Sequence, residues 1–269
     1  MAALVYVWFW PDGGHPDKPW PDNHGDLDCA AEDAFLRTSR RVTERYSEAL
    51  AKSPLEGRRS SIGMGVSQYR SDGANVSVNL SLSRPGENGV RVDIPATVAT
   101  LAAQDRARLV VDAVDLATRT IGDALGWPQD VLGRAHQHTL DHGLGFSMAG
   151  PWKTDRSRKR RARPVARICD EGWSELCFEI VDARTDTHLG FTSTVVSALN
   201  SLPKFKNLAS KFRWANPSTI ERPHDWQAWS DRDWGRLDTF DVEDLRPWPE
   251  VLLPVPDHAP LPIQIVAVD

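Results

Sequence analysis

Cysteine is scarce in this chain. Cys29, Cys169 and Cys177 are three thiols in 269 residues, too few and too scattered for a disulfide framework, and no C-x-x-C pair suggests a redox or zinc site. Reduced, buried thiols are the expectation, and with them a cytoplasmic setting. The bias toward Arg, Ala, Asp and Trp suggests a bacterial source. Long apolar runs are also missing. The N-terminal run closes at Pro11 after about ten residues, far short of the roughly twenty a membrane helix needs, and no basic segment precedes it as in a signal peptide. No membrane span or export signal is therefore expected. Positive charge is not in excess either: the net charge is −5 and the sequence pI about 5.9, which argues against a general nucleic-acid or anionic-membrane binder.

Complete catalytic and cofactor signatures are lacking as well. His136, His138 and His142 cluster in one helical stretch, and His138 and His142 stand four apart, a spacing by which two imidazoles reach one metal ion. The Glu of an H-E-x-x-H motif is absent, however, and His136 falls on another face. The loop Asp22-Asn-His24-Gly-Asp26-Leu-Asp28 imitates calcium-loop spacing but has its glycine at the fourth place, Leu27 at the sixth and the short Asp33 where a bidentate Glu belongs. Gly145-Phe-Ser147-Met-Ala149 follows a helix, whereas a nucleophile elbow follows a strand. The glycines Gly143, Gly145 and Gly150 lack the lysine of a phosphate loop. Neither metal nor cofactor is expected, and an enzyme is the less favoured reading.

What is present is a clear alternation of element types. Leu4–Trp10 reads as a buried strand, and Cys29 to Lys52 as an amphipathic helix with Ala31, Phe35, Val42, Tyr46 and Leu50 on one stripe. Ile62–Arg70, Ala74–Ser83 and Val90–Ile94 read as strands of an antiparallel meander, the middle one alternating Val76, Val78, Leu80 and Leu82 with polar residues. Thr97–Trp127 has the longest unbroken helical period, with Thr97 as its expected N-cap and Gly126 as its stop. Pro128–Phe146 follows as a further helix. These residues predict an α+β sandwich in which two or three amphipathic helices cover an antiparallel sheet and the long helix organises the rest.

Beyond Gly150 the pattern changes. A hairpin is expected over Val165–Ile168 and Trp173–Asp182, turning at Glu171-Gly172, followed by a strand near Leu189–Val196 and a short basic helix over Lys204–Trp214. The C-terminus is punctuated by proline, with Ile263–Val268 as a possible edge strand. The chain is thus expected to divide into an α+β domain, 1–150, a smaller hairpin and helix region, 151–240, and an extended arm, 241–269.

Two surfaces carry the functional expectation. Arg158, Arg160, Arg161, Arg163 and Arg167 crowd one segment, and strand alternation sends Arg161, Arg163 and Arg167 to one face. Guanidinium forks suit phosphates or carboxylates, but the same residues also suit a protected strand edge or an internal match with the acidic stretch Asp225–Glu250. Lys204, Lys206, Lys211 and Arg213 could extend the patch. Eleven tryptophans are many for this length, and Trp226, Trp229 and Trp234 lie among charged residues, as interface anchors do. Missing catalytic sets, abundant tryptophan and segregated charge together favour a protein-interaction module, of an immunity-type or regulatory kind, with a partner protein. The alternative is a nucleic-acid- or phosphate-binding protein or a hydrolase using the basic strand 156–167 and the histidine helix.

Overall fold

The computed structural model describes residues 2–4, 6–11, 30–57, 61–68, 75–84, 87–170, 172, 174–197, 201–221, 239–247 and 265–268. The Asp22–Asp28 loop, Cys29 and the tryptophans at 226, 229 and 234 lie outside them. The elements are β1 (Ala2–Leu4), β2 (Tyr6–Pro11), α1 (Ala30–Lys52), β3 (Leu55–Gly57), β4 (Ser61–Gln68), β5 (Val76–Arg84), β6 (Glu87–Ile94), a 3-10 turn over Ala96–Thr100, α2 (Ala103–Leu125) and α3 (Gln129–Asp141). After these come β7 (Phe146–Ala149), β8 (Lys153–Thr154), β9 (Arg160–Ile168), β10 (Ser174–Asp182), β11 (His188–Phe191) and β12 (Val195–Ser197). The last are α4 (Leu202–Ala209), β13 (Arg213–Asn216), β14 (Thr219–Glu221), β15 (Thr239–Asp241) and β16 (Ile265–Val268). The fold is mixed α+β, and the chain divides into two compact units. One comprises Met1–Gly145, Asp170–Gly172 and Leu252–Asp269, the other Phe146–Cys169 and Trp173–Val251.

The first unit is built on a five-stranded sheet of order β16-β5-β6-β4-β2, with β1 and β3 forming a separate antiparallel pair. β5 and β6 make the expected antiparallel hairpin, Val78 opposite Val92. The expected three-strand meander is corrected at β4, which passes its chain neighbour β5 and pairs in parallel with β6, Met64 opposite Val90. β2 then adds in parallel to β4, Val7 opposite Ile62. A parallel pair needs a long crossover, and α1 supplies it. β4 is suited to an interior place because Met64, Gly65, Val66 and Ser67 are all buried, so neither of its faces is the wet face of a meander.

Helix α1, rather than the helix expected over Thr97–Trp127, is the element around which this unit is arranged. Phe35, Val42, Tyr46 and Leu50 are fully buried, and so, nearly, are Thr38, Ser39, Arg41, Thr43, Glu44 and Ser47 on its other sides. A polar residue taken from water must be met by a partner, and here it is. Ser47 Oγ accepts from the Val7 backbone N–H at 3.1 Å, Glu44 accepts from the Tyr6 hydroxyl, Thr38 Oγ1 accepts from Arg106 Nε at 2.8 Å, and Arg41 is ion-paired with Asp170. At the helix start, Gln68 Oε1 accepts from Ala31 N at 2.9 Å, one of the donors a helix N-terminus leaves without an internal partner.

The long helical stretch is shorter than its periodicity suggested. Pro95 leads into the 3-10 turn, Leu101 is extended with ψ 143°, and α2 begins only at Ala103, with Ala102 at its N-cap in place of Thr97. Gly126 ends it as expected, at φ 69° in the left-handed region that a glycine takes without a Cβ clash. α3 likewise stops at Asp141, and Phe146 opens a strand. Tyr46 fastens α1 to both helices: its hydroxyl lies 2.9 Å from Thr118 Oγ1 and donates to Leu132 O at 3.4 Å.

In the second unit the main sheet runs β11-β10-β9-β7, with β8 also on β9 and β12 on β10, beside a smaller sheet β13-β14-β15. The strand expected over Leu189–Val196 is thus two pieces, and the helix expected over Lys204–Trp214 ends at Ala209. β9 carries Pro164 in mid-strand. Pro164 accepts from Gly150 N through its carbonyl at 2.8 Å. The ring nitrogen of an extended residue faces the same side as its carbonyl, so its missing N–H points to the gap between β7 and β8. Phe178, Phe212 and Phe240 pack edge to face, with centroids 4.7 and 4.9 Å from Phe178, and form the centre of this unit's core.

Candidate functional site

The basic segment is placed largely as its alternation implied, but most of its charge is matched within the second unit. Ala162, Pro164, Ala166 and Ile168 are buried, while Arg161, Arg163 and Arg167 lie on the other face of β9. β10 runs antiparallel beside it, with Glu179 opposite Arg163 and Glu175 opposite Arg167. Arg163 Nε donates to Glu179 Oε2 at 2.6 Å, Arg167 pairs with Glu175, Arg161 with Asp186, and Arg160 Nη1 with Glu243 Oε1 at 3.0 Å. The guanidinium carbons of Arg163 and Arg161 stand 4.6 and 5.5 Å from the centroid of Trp152, within cation–π range. Of the five arginines singled out from sequence, only Arg158, in the turn before β9, is exposed and outside these pairs. Lys153, near the same strand, donates through Nζ to Ser210 O at 2.6 Å and to Phe212 O, closing the carbonyl end of α4. Cys177 is free and buried, and burial pushes its thiol far above the usual range, which suits a packing role and not a nucleophile.

Of the three histidines, His138 in α3 and His142 at its C-cap come together, and His136 does not join them. His136 turns toward α2, where its Nε2 lies 3.1 Å from Asp112 Oδ1. That hydrogen bond, helped by the nearby charge of Asp115, raises its pKa above the ordinary histidine value. His138 turns toward α1, with Nε2 3.6 Å from Glu48 Oε2, and its ring stacks on His142 at a centroid distance of 3.9 Å. Burial, and then the neighbouring His142 and Lys52, lower its pKa. Among the described residues no group of three or more His, Cys, Asp or Glu side chains is arranged to hold a metal ion. Ser147, the residue of the elbow-like stretch, sits on β7 opposite Arg167.

A further surface lies on the first unit's sheet. β2 sends Val7 and Phe9 toward the helices and Trp8 and Trp10 to the opposite face, where they are 39% and 36% exposed. The two indoles meet edge to face at 5.3 Å. They lie over Gly63 of β4, where an added Cβ would stand 2.5 Å from Trp10 Cζ3 and 3.1 Å from Trp8 Cε2. Across Gly65 comes Arg91 of β6, directly opposite it in register. Arg91 Nε donates to Asp93 Oδ1 at 2.6 Å, and Asn79 Nδ2 donates to Asp93 Oδ2 at 3.0 Å. The face thus runs from an exposed aromatic pair, over a glycine strip, to an Arg/Asp/Asn network. The signal was present in the sequence as a period of two, Trp8 and Trp10 against Val7 and Phe9. It was hidden because every residue of the run is apolar or aromatic.

Among the described residues no helix is long and apolar enough to cross a membrane. No family model, no curated protein and no solved structure matches the chain.

Proposed function

We propose that the chain is a protein-binding module whose first unit docks a partner protein on the sheet face carrying Trp8, Trp10 and Arg91. The observation that carries this reading is the exposed Trp8–Trp10 pair seated on Gly63. Tryptophan and arginine are the side chains that most often dominate binding energy at protein interfaces, and a buried indole there offers a large apolar area with little side-chain entropy to lose. Around the pair, Arg91, Asp93 and Asn79 supply the polar rim that fixes orientation. The partner surface therefore presents an apolar centre that the two indoles fill, bordered by groups that hydrogen-bond to Arg91 and Asp93. An immunity-type or regulatory role remains the form of interaction most in keeping with the missing catalytic sets.

The test is capture of the partner from an extract of the source cells by the wild-type chain and by Trp8→Ala/Trp10→Ala. The wild type retains a protein that the double variant loses, and tryptophan emission shifts to the blue as the complex forms. Equal retention by both chains, or a small molecule that raises the melting temperature while no protein is retained, overturns the reading.

A further inference from the structure

Two turns at one end of the second unit's main sheet hold cations that the ion pairs above leave out. One turn covers Asp155–Lys159 and the other Ala183–Thr187, and the hydrogen bond from Ala183 N to Lys159 O, 2.9 Å long, holds them side by side. Arg156, Arg158, Lys159 and Arg184 are all exposed. Among the described residues, none of these four side chains has an ion-pair partner. The carboxylates of the same turns are directed elsewhere. Asp155 is buried and accepts from Ser157 Oγ at 2.6 Å and from Lys159 N at 3.0 Å. Asp182 accepts from Arg184 N at 2.8 Å and from Thr185 N at 2.9 Å, and Asp186 pairs with Arg161. Arg158 sits at φ 57°, in the left-handed region that disfavours a residue with a Cβ, where a glycine would fit without strain.

We propose that this basic tip is a second binding site, for an acidic segment of a partner polypeptide. Four cations whose neighbouring acids are already engaged, Asp155 buried in its turn, Asp182 on backbone N–H groups and Asp186 on Arg161, make a local positive field on a chain of net charge −5, and arginine forks grip carboxylates in two-point fashion. A nucleic-acid strand is the poorer occupant. It needs a track of cations with open aromatic platforms for its bases, whereas Trp152, the nearest aromatic in sequence, is engaged by Arg161 and Arg163. Beyond the tip, the acidic balance of the chain repels a long polyanion. The site belongs to the second unit and stands independently of the aromatic face of the first.

The experiment is fluorescence anisotropy of a short labelled poly-glutamate peptide with the full chain, from low to physiological salt. The wild type binds at low salt and weakens as salt rises. Arg156→Ala/Arg158→Ala/Arg184→Ala weakens binding about tenfold or more and flattens the salt dependence. A control removing as many exposed cations of the same unit outside the two turns, Lys206→Ala/Arg213→Ala/Arg246→Ala, changes affinity less than about twofold, since Arg213 and Arg246 are already paired with Glu221 and Asp244 and charges outside the contact are screened by salt. Arg158→Gly weakens binding while its melting temperature holds or rises, which separates lost recognition from lost folding. Absence of poly-glutamate binding by the wild type, equal losses in the two triple variants, or tighter binding of single-stranded RNA through the same residues overturns the proposal.

Discussion

Trp10 lies across Gly63 on the neighbouring strand, so closely that a Cβ on the glycine would stand 2.5 Å from Cζ3 and 2.7 Å from Cε3 of the indole. The parallel pairing of β2 with β4 brings the two together, and the absence of a side chain on Gly63 lets the ring settle on the sheet. Gly63→Ala therefore displaces the indole without breaking the strand. The ring is at the surface and can swing outward, so stability changes by about 1 kcal/mol or less. The near-UV circular dichroism of the coupled Trp8–Trp10 pair weakens, and partner capture falls with it. A loss of several kcal/mol with an unchanged near-UV signal would count against this account of the seat.

Tyr6, on the same strand, donates its hydroxyl to Glu44, which is 3% exposed within α1. Burial first, and then the Glu44 charge, hold the phenol well above its ordinary pKa, so it stays a donor throughout the working range. Tyr6→Phe keeps the ring and removes the donor, leaving a buried carboxylate short of one hydrogen bond. The expected cost is about 1–2 kcal/mol, read as a lower urea midpoint with unchanged slope. Glu44→Gln, which keeps an acceptor and removes the buried charge, costs less than Tyr6→Phe; the reverse order would show that the charge itself is what the site needs.

How much of this was legible depended on whether the deciding partner lay near in sequence. The β9–β10 ion pairs could have been read outright. A hairpin turning at Glu171-Gly172 places Arg167 opposite Glu175 and Arg163 opposite Glu179, so acids that match these two arginines stand on the next strand. Arg160, through Glu243, reaches into the acidic stretch 225–250. The apolar stripes of α1 and α2 were equally plain, because helical periodicity is local. What periodicity cannot show is that Thr38, Arg41, Glu44 and Ser47, which read as a solvent face, are buried against partners as far away as Asp170. Strand order was hidden for the same reason. An alternating strand announces one buried face, not which neighbour it takes, and β4 takes β6 over the adjacent β5. The sheet-face site combined both difficulties, since Trp8 and Trp10 sit in an all-apolar run and the glycine beneath them is more than fifty positions away in the chain.

The Arg163–Glu179 pair offers a direct measure of how fully the basic strand is matched. Their side chains are 33% and 15% exposed, and Trp152 lies against the guanidinium. A double-mutant cycle of Arg163→Ala and Glu179→Ala should return a coupling of about 0.5–1 kcal/mol, the range of partly exposed cross-strand pairs. The coupling should fall in high salt. A value of zero would leave Arg163 available to an external anion and return weight to the phosphate-binding alternative.

His136 and His138 are two residues apart on α3 and should titrate in opposite directions from the ordinary histidine value. The hydrogen bond that His136 donates to Asp112 raises His136, whereas burial and the neighbouring His142 and Lys52 lower His138. Folded His136 holds its proton more tightly than the unfolded chain does. Its contribution to stability is therefore complete below the unfolded pKa and is lost as pH rises through the folded one. For His138 the unfolded chain binds the proton more tightly, so the group lowers stability as pH falls through the ordinary histidine range. Asp112→Asn removes only the first effect. It should cost more stability at about pH 5.5, where His136 is charged, than at a pH well above its raised pKa, where it is neutral. Side-chain NMR titration of the wild type should place His136 above His138, and urea unfolding of Asp112→Asn at the two pH values should differ in that sense. An equal cost at both values would mean that the 3.1 Å contact between His136 and Asp112 is a neutral hydrogen bond that does not bias protonation.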